Sequence, residues 1–313
     1  MPNPSNTDIK AGFEAYWQKT LRPALEKKEK VRRQYLSRFW LMFSIALLII
    51  PTICTASYIF GPQIHIEPNI LFLIIAGIIF ILRAPYHQYK SKIKQDIMPL
   101  FIGYFDGFTY ALGKGLTSDE IEDSGIFPNF DEHQSDDCFE GCFEGVNIHV
   151  TEERLSTYHH TKRGSRKVEV FKGIAVRLDL NKNFTSKTIV LKDAGIFNRF
   201  QSFSRPERIK LEDVHFEKLF EVYGTDQIEA RRLLTPAFME RIIHLKDLYK
   251  GKSIQFSFWA GKLLIAISTN QDMFEPFSFF FTNINKAKID TVFEQFLTIF
   301  EIIRILKLNT QNA

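Results

Sequence analysis

Cys138 and Cys142 stand four residues apart, with His149 beyond them and the adjacent pair His159 and His160 further on. On an extended strand, residues at even spacing share a face, and thiolate with imidazole is a donor set that suits zinc. Structural zinc sites usually draw on paired CxxC knuckles, and the chain has only one further cysteine, Cys54. Two ordinary thiols in a reducing compartment remain the preferred reading, with no metal and no other cofactor expected.

Asp226, Glu229, Arg231 and Arg232 place two carboxylates beside two guanidiniums, a set that can in principle do acid–base work. The same spacing makes Asp226 a helix N-cap and Glu229 its capping-box partner, and that reading is preferred. Glu240 and His244 have the four-residue spacing of a surface pair and lack the second histidine of a zinc-protease signature. No GxSxG, phosphate-binding glycine loop or dinucleotide fingerprint occurs, so no catalytic residue is assigned.

Two further stretches are candidates for binding. Lys162, Arg163, Arg166 and Lys167 put four positive charges in six residues beside His159 and His160, a loop that could meet anionic headgroups or an acidic partner. A solvated hairpin tip explains it as well, since Gly164-Ser165 is normal turn chemistry. Phe277, Phe279, Phe280 and Phe281 would mark an interface if exposed, and a core segment if not.

The elements that hold these residues follow from hydropathy. Two apolar runs, Phe39 to Phe60 and Asn69 to Leu82, lie near the start. The first is 22 residues long, enough for a bilayer core that takes roughly 20 helical residues. Pro51 predicts a kink there, next to Thr52. The second has 14 uninterrupted residues, a rise of only about 21 Å, and must be extended by a helix start at Pro68 and by Arg83, Tyr86 and Tyr89 at headgroup depth. Nine Lys and Arg precede the first run, four (Arg83, Lys90, Lys92, Lys94) follow the second closely, and none lies between them. The pattern predicts a two-span hairpin with both termini cytoplasmic. A buried helix of a water-soluble core is the other meaning of a run this short.

The net charge of +4 is modest and much of the excess flanks the hairpin, so nucleic acid is not expected as a partner. Residues 1–37 read as a cytoplasmic helical segment with Phe13, Trp17, Leu21 and Leu25 at four-residue steps and an interruption at Pro23. The hairpin occupies 38–86. A connecting helix follows over 87–116, its helical pattern running from Gln88 to Leu112. The remainder, 117–313, reads as an α+β domain with a mainly antiparallel sheet and packed helices. Its strands cluster from Cys138 to Leu191, with a break at Gly173 and a polar loop from His159 to Lys167. Thr235 caps a helix opened by Pro236. A hairpin follows, turning at Ala260 and Gly261, and a helix closes the chain over 288–308.

The stretch from Phe216 to Pro236, most specifically Asp226-Gln-Ile-Glu-Ala-Arg231 with Thr235-Pro236, together with Phe139-Glu-Gly141, Phe171-Lys-Gly173 and Phe274-Glu-Pro276, resembles the bacterial membrane family DUF 3137. The similarity spans roughly residues 100–308, and the preceding hairpin is also what that family looks like. The resemblance implies a bacterial inner-membrane location and supplies no catalytic or cofactor residue. The resulting expectation is a membrane-anchored binding, adaptor or regulatory protein, held in the bilayer by two helices and engaging a protein partner. An enzyme of unfamiliar type acting on a lipid or membrane-proximal substrate is the alternative.

Overall fold

The computed structural model describes residues 6–60, 68–161, 164–180, 185–193, 206–249 and 252–306, and it divides into two compact units. Thr7–Tyr104 with Pro276–Ile289 form a helical unit; Phe105–Glu275 with the chain from Asp290 form a sheet unit.

In the helical unit α1 (Asn6–Tyr16) passes through one π turn, Trp17–Leu21, into α2 (Arg22–Phe60). Phe13, Trp17, Leu21 and Leu25 are all buried, as their spacing predicts. A strict four-residue step overruns the 3.6-residue period by about 40° each time, and the wider i→i+5 winding of the π turn takes up that drift. Pro23, expected to interrupt the helix, sits just after the π turn and is absorbed there. The return helix α3 (Pro68–Ile102) lies antiparallel to this path. Tyr16 Oη donates to the Leu100 carbonyl at 2.8 Å, Lys28 Nζ meets Asp96 Oδ2 at 2.6 Å, and the rings of Tyr35 and Tyr89 lie 5.9 Å apart.

The expected helix over 88–112 ends at Ile102, and Thr109–Leu112 is instead strand β1, with Tyr110 opposite Phe139. An edge strand of four residues owes its form to that pairing, which no local pattern reveals.

The sheet contains nine strands among the described residues, in the order β1-β2-β3-β4-β9-β8-β5-β7-β6, and every pairing is antiparallel. They are β2 (Glu132–Phe143), β3 (Val146–Thr161), β4 (Gly164–Asp179), β5 (Thr188–Lys192), β6 (Glu207–Ile209), β7 (Phe220–Gly224), β8 (Ile254–Trp259) and β9 (Lys262–Ser268). The expected loop over 159–167 is mostly strand, because β3 and β4 continue outward with His159 opposite Arg166 and His160 opposite Ser165. The break in β4 lies at Val170, where the register shifts, and not at Gly173. Gly173 stays in the ladder opposite Ser268, where a Cβ would clash with the Ile267 carbonyl oxygen. The turn at Ala260 and Gly261 forms as expected, both with positive φ (46° and 73°), the signature of a two-residue hairpin turn.

Alternation gives the sheet two faces. One carries Phe139, Val150, Val176, Ile265 and Phe256 beneath α8 (Lys286–Leu306), whose Phe296 meets Phe139 edge-on at 4.6 Å. The helix α7 (Pro236–Leu248) covers the same face, with Phe238 against Phe258. The other face packs Ala175, Ala266, Leu264, Ile189 and Tyr223 against Ile121 of α4 (Ser118–Ser124) and the neighbouring Leu116 and Ile126. Two short helices, α5 (Val214–Glu217) and α6 (Gln227–Leu233), complete the unit.

Candidate functional site

The first candidate is a surface. Trp40, Leu41, Phe43, Ile45, Leu47, Leu48 and Ile49 on α2 are exposed, and so are Phe72, Leu73, Ile79, Phe80 and Ile81 on α3. Leu48 is 70 % and Phe80 77 % accessible, so the most apolar parts of both helices face outward. Water-soluble proteins rarely leave apolar patches of this extent uncovered. Among the described residues one helical stretch, Ile9–Ile53, is long and apolar enough to cross a membrane by length and composition, and almost none of its most apolar window is buried. Pro51 lies inside α2, where Thr52 Oγ1 donates to the carbonyls of Leu48 and Ile49 at 3.0 and 2.8 Å.

The Phe-rich segment borders this surface and divides in two. Phe279 is buried between Phe39, Tyr86 and Tyr89, with ring centroids 5.6 to 5.7 Å away. Arg32, itself bound by Glu29, donates to the Phe279 carbonyl at 3.0 Å, and Asn283 donates to the Tyr89 hydroxyl. Phe277 is buried as well, whereas Phe280 and Phe281 are 50 % and 73 % exposed. The clamp therefore holds the half-exposed Phe280 with its ring 5.6 Å from that of Phe39, where the first apolar run begins.

In the sheet unit the cysteine–histidine set is only partly assembled. Cys138 and His149 are buried neighbours, with Sγ 3.2 Å from Nε2, and His149 Nδ1 lies 3.1 Å from Glu140 Oε1 without hydrogen-bond alignment. Glu140 pairs directly with His149 across β2 and β3, and Cys138 pairs with Thr151 one step along the same face. Cys142 is exposed and lies about 13 Å farther along the strand, and His159 is about 33 Å from His149 by the same rise, so neither joins the cluster. Burial pushes the Cys138 thiol up to about 12, and burial followed by the charge of Arg177 holds His149 below the usual histidine range.

Two polar networks lay beyond sequence reasoning. Glu153, almost fully buried, accepts from Leu116 N at 2.9 Å and Ser135 Oγ at 2.6 Å and meets His133 Nε2 at 2.8 Å, which ties the approach to α4 onto β2 and β3. On the opposite face a β-bulge places Asp136 and Asp137 against the single residue Glu152, with a Glu275 carboxylate oxygen within 4.8 Å of those of the two aspartates. Tyr110 donates to Asp137 at 2.6 Å, and burial raises Glu152 to about 8. The run Ser135-Asp-Asp-Cys138 contains the bulge, and nothing in its composition announces it.

The family-like segment is used structurally. Asp226 accepts from the backbone N–H groups of Ile228 and Glu229 and so caps α6. Glu229 does not close the expected capping box; its carboxylate accepts from Ser186 N at 2.9 Å, and bonds from Ser186 hold it below the usual range. Arg231 donates to the Lys210 carbonyl, while Arg232, Glu240 and His244 are exposed. Thr235 caps α7 through Phe238 N, with Pro236 as the first helical residue. A true capping box occurs at Thr117 and Glu120 on α4. Of the basic loop, Lys162 and Arg163 lie outside the described residues, Arg166 is exposed, and Lys167 meets Glu132 at 2.7 Å.

Fold and surface together define an α+β protein with a large antiparallel sheet and an apolar N-terminal helical segment fit for a membrane. A family model described as "Protein of unknown function (DUF3137)" matches residues 169–308, somewhat under half of the chain, and supports the family resemblance. No curated protein matches. Among solved structures, the crystal structure of the mycobacterial trehalose monomycolate transport factor A, TtfA, aligns with 64 % of this chain and 88 % of its own at 10 % identity and a TM-score of 0.34, a likeness too distant to carry an argument about function.

Proposed function

We propose that this chain is a membrane-anchored binding or regulatory protein of a bacterial inner membrane. Helices α2 and α3 cross the bilayer as a two-span hairpin, and both termini are cytoplasmic. The observation that carries the reading is the exposure of many large apolar side chains on α2 and α3, which water penalises and lipid does not. The absence of Lys and Arg between the two runs, against nine before the first, supports the orientation. Phe280, half exposed and with its ring 5.6 Å from that of Phe39, adds apolar surface at the entry of the first span.

The sheet unit engages a protein partner from this anchor. In-cell photo-crosslinking from exposed sheet-unit positions, followed by mass spectrometry, is expected to return a reproducible neighbour alongside membrane retention in alkaline carbonate. A chain released by carbonate, or one with no enriched neighbour, contradicts the reading. A second contact, between Lys162, Arg163, Arg166, Lys167 and anionic headgroups, predicts binding to phosphatidylglycerol vesicles that weakens with salt. Lys167 adds little to it because Glu132 already holds its ammonium.

A further inference from the structure

We infer that Cys138, His149 and Glu140 form a three-donor site for a borderline-soft divalent cation of the zinc type, on the sheet face opposite α8. One ligand atom from each of the three lies within 4.8 Å of the others. The 3.2 Å between Cys138 Sγ and His149 Nε2 is a distance that two donors of one ion can span with bonds of about 2.3 and 2.0 Å. Thiolate, imidazole and carboxylate together select zinc over the hard cations, and three protein donors leave a fourth position for water or a ligand.

The backbone builds this geometry. Strands β2 and β3 hold Cys138, Glu140 and His149 on one face of a regular ladder, with Glu140 and His149 directly paired. The sulfur and imidazole are buried while the Glu140 carboxylate is exposed. Glu140 rests beside Nδ1 of His149 and Cys138 beside Nε2, so the carboxylate must turn to share an ion with the sulfur. The charges around the site are Glu140 on β2, Glu153 on β3, Arg177 on β4, Lys114 before α4 and Glu120 on α4, and Glu120 already ties Arg177 down at 2.8 Å. The cation displaces the thiol proton to solvent and forms the sulfur–metal bond, so charge and atoms balance with one proton released. Affinity then rises about tenfold per pH unit below the thiol's own titration.

The test is Co²⁺ titration of the detergent-solubilised full chain, read by the thiolate-to-metal charge-transfer absorbance and by competition with Zn²⁺. The charge-transfer band is expected in the parent and in Cys142→Ser, to be lost in Cys138→Ser and His149→Gln, and to survive with weaker affinity in Glu140→Gln. Circular dichroism of each variant separates loss of binding from loss of fold, and Glu140→Gln, altered at an exposed position, keeps the test open if the buried variants unfold. No band in the parent, a band that persists in Cys138→Ser, or an affinity indifferent to pH overturns the site.

Discussion

Large apolar side chains meet opposite fates in the two units. In the sheet unit Phe139, Phe256, Leu264 and Ile265 are wholly inaccessible, whereas in the helical unit Leu47, Leu48, Phe72 and Phe80 stand well over half exposed. Composition does not separate them, since both sets are Leu, Ile and Phe. What differs is the period on which they recur. The strands alternate, so one face must be buried against a covering helix. The outer parts of α2 and α3 are apolar all round, a pattern that fits a helix surrounded by lipid. The helical unit also shows both regimes along one helical path: Phe13, Trp17, Leu21 and Leu25 form a buried stripe before the apolar run begins.

Mutations that exchange the two environments sharpen this contrast. Phe139→Ala removes a ring packed against Tyr110, Phe274 and Phe296 and is expected to destabilise the sheet unit by about 3–5 kcal/mol in urea unfolding. Leu48→Arg should leave unfolding of the sheet unit unchanged but cost about 2.5–3.5 kcal/mol in membrane insertion, read in a translocon insertion assay. Equal insertion of the parent and Leu48→Arg would erase the distinction between the two surfaces. Asp226→Ala, which leaves the first N–H groups of α6 without their acceptor, is expected to cost about 1 kcal/mol. If that variant instead abolishes partner crosslinking while remaining folded, the segment has a role beyond capping.

A further effect is pH-dependent. Burial raises Glu152 to about 8 from an ordinary 4.5, so between those values the native state keeps a proton that the unfolded chain has released. Glu152 therefore makes stability fall as pH rises from about 4.5 to 8. Glu152→Gln should flatten that part of the profile, measured by urea titrations across the range.

Much of the sheet unit was legible because its signals are local. The cap and proline at Thr235 and Pro236, the turn at Ala260 and Gly261 and the closing apolar helix each carry their own chemistry. The losses are nonlocal. Strand β1 exists because Tyr110 and its neighbours pair with β2, and the long β3–β4 hairpin turns an expected polar loop into ladder. The candidate site divides the same way: even spacing put Cys138 and Cys142 on one face, and the strand rise that goes with it already holds them about 13 Å apart. Register with β3 supplied His149 and added Glu140, a residue with no motif of its own. For the Phe-rich segment, the sequence marked the density of rings, and only the clamp formed by Arg32, Tyr89 and Asn283 decides which are buried.

The proposed membrane hairpin is tested most directly by reporter fusions, one active only in the cytoplasm and one only outside it, placed after Gly61 and after Ala313. The account predicts cytoplasmic activity at Ala313 and external activity at Gly61. External activity at Ala313 would mean that the second apolar run does not cross, and cytoplasmic activity at both positions would mean that neither run does.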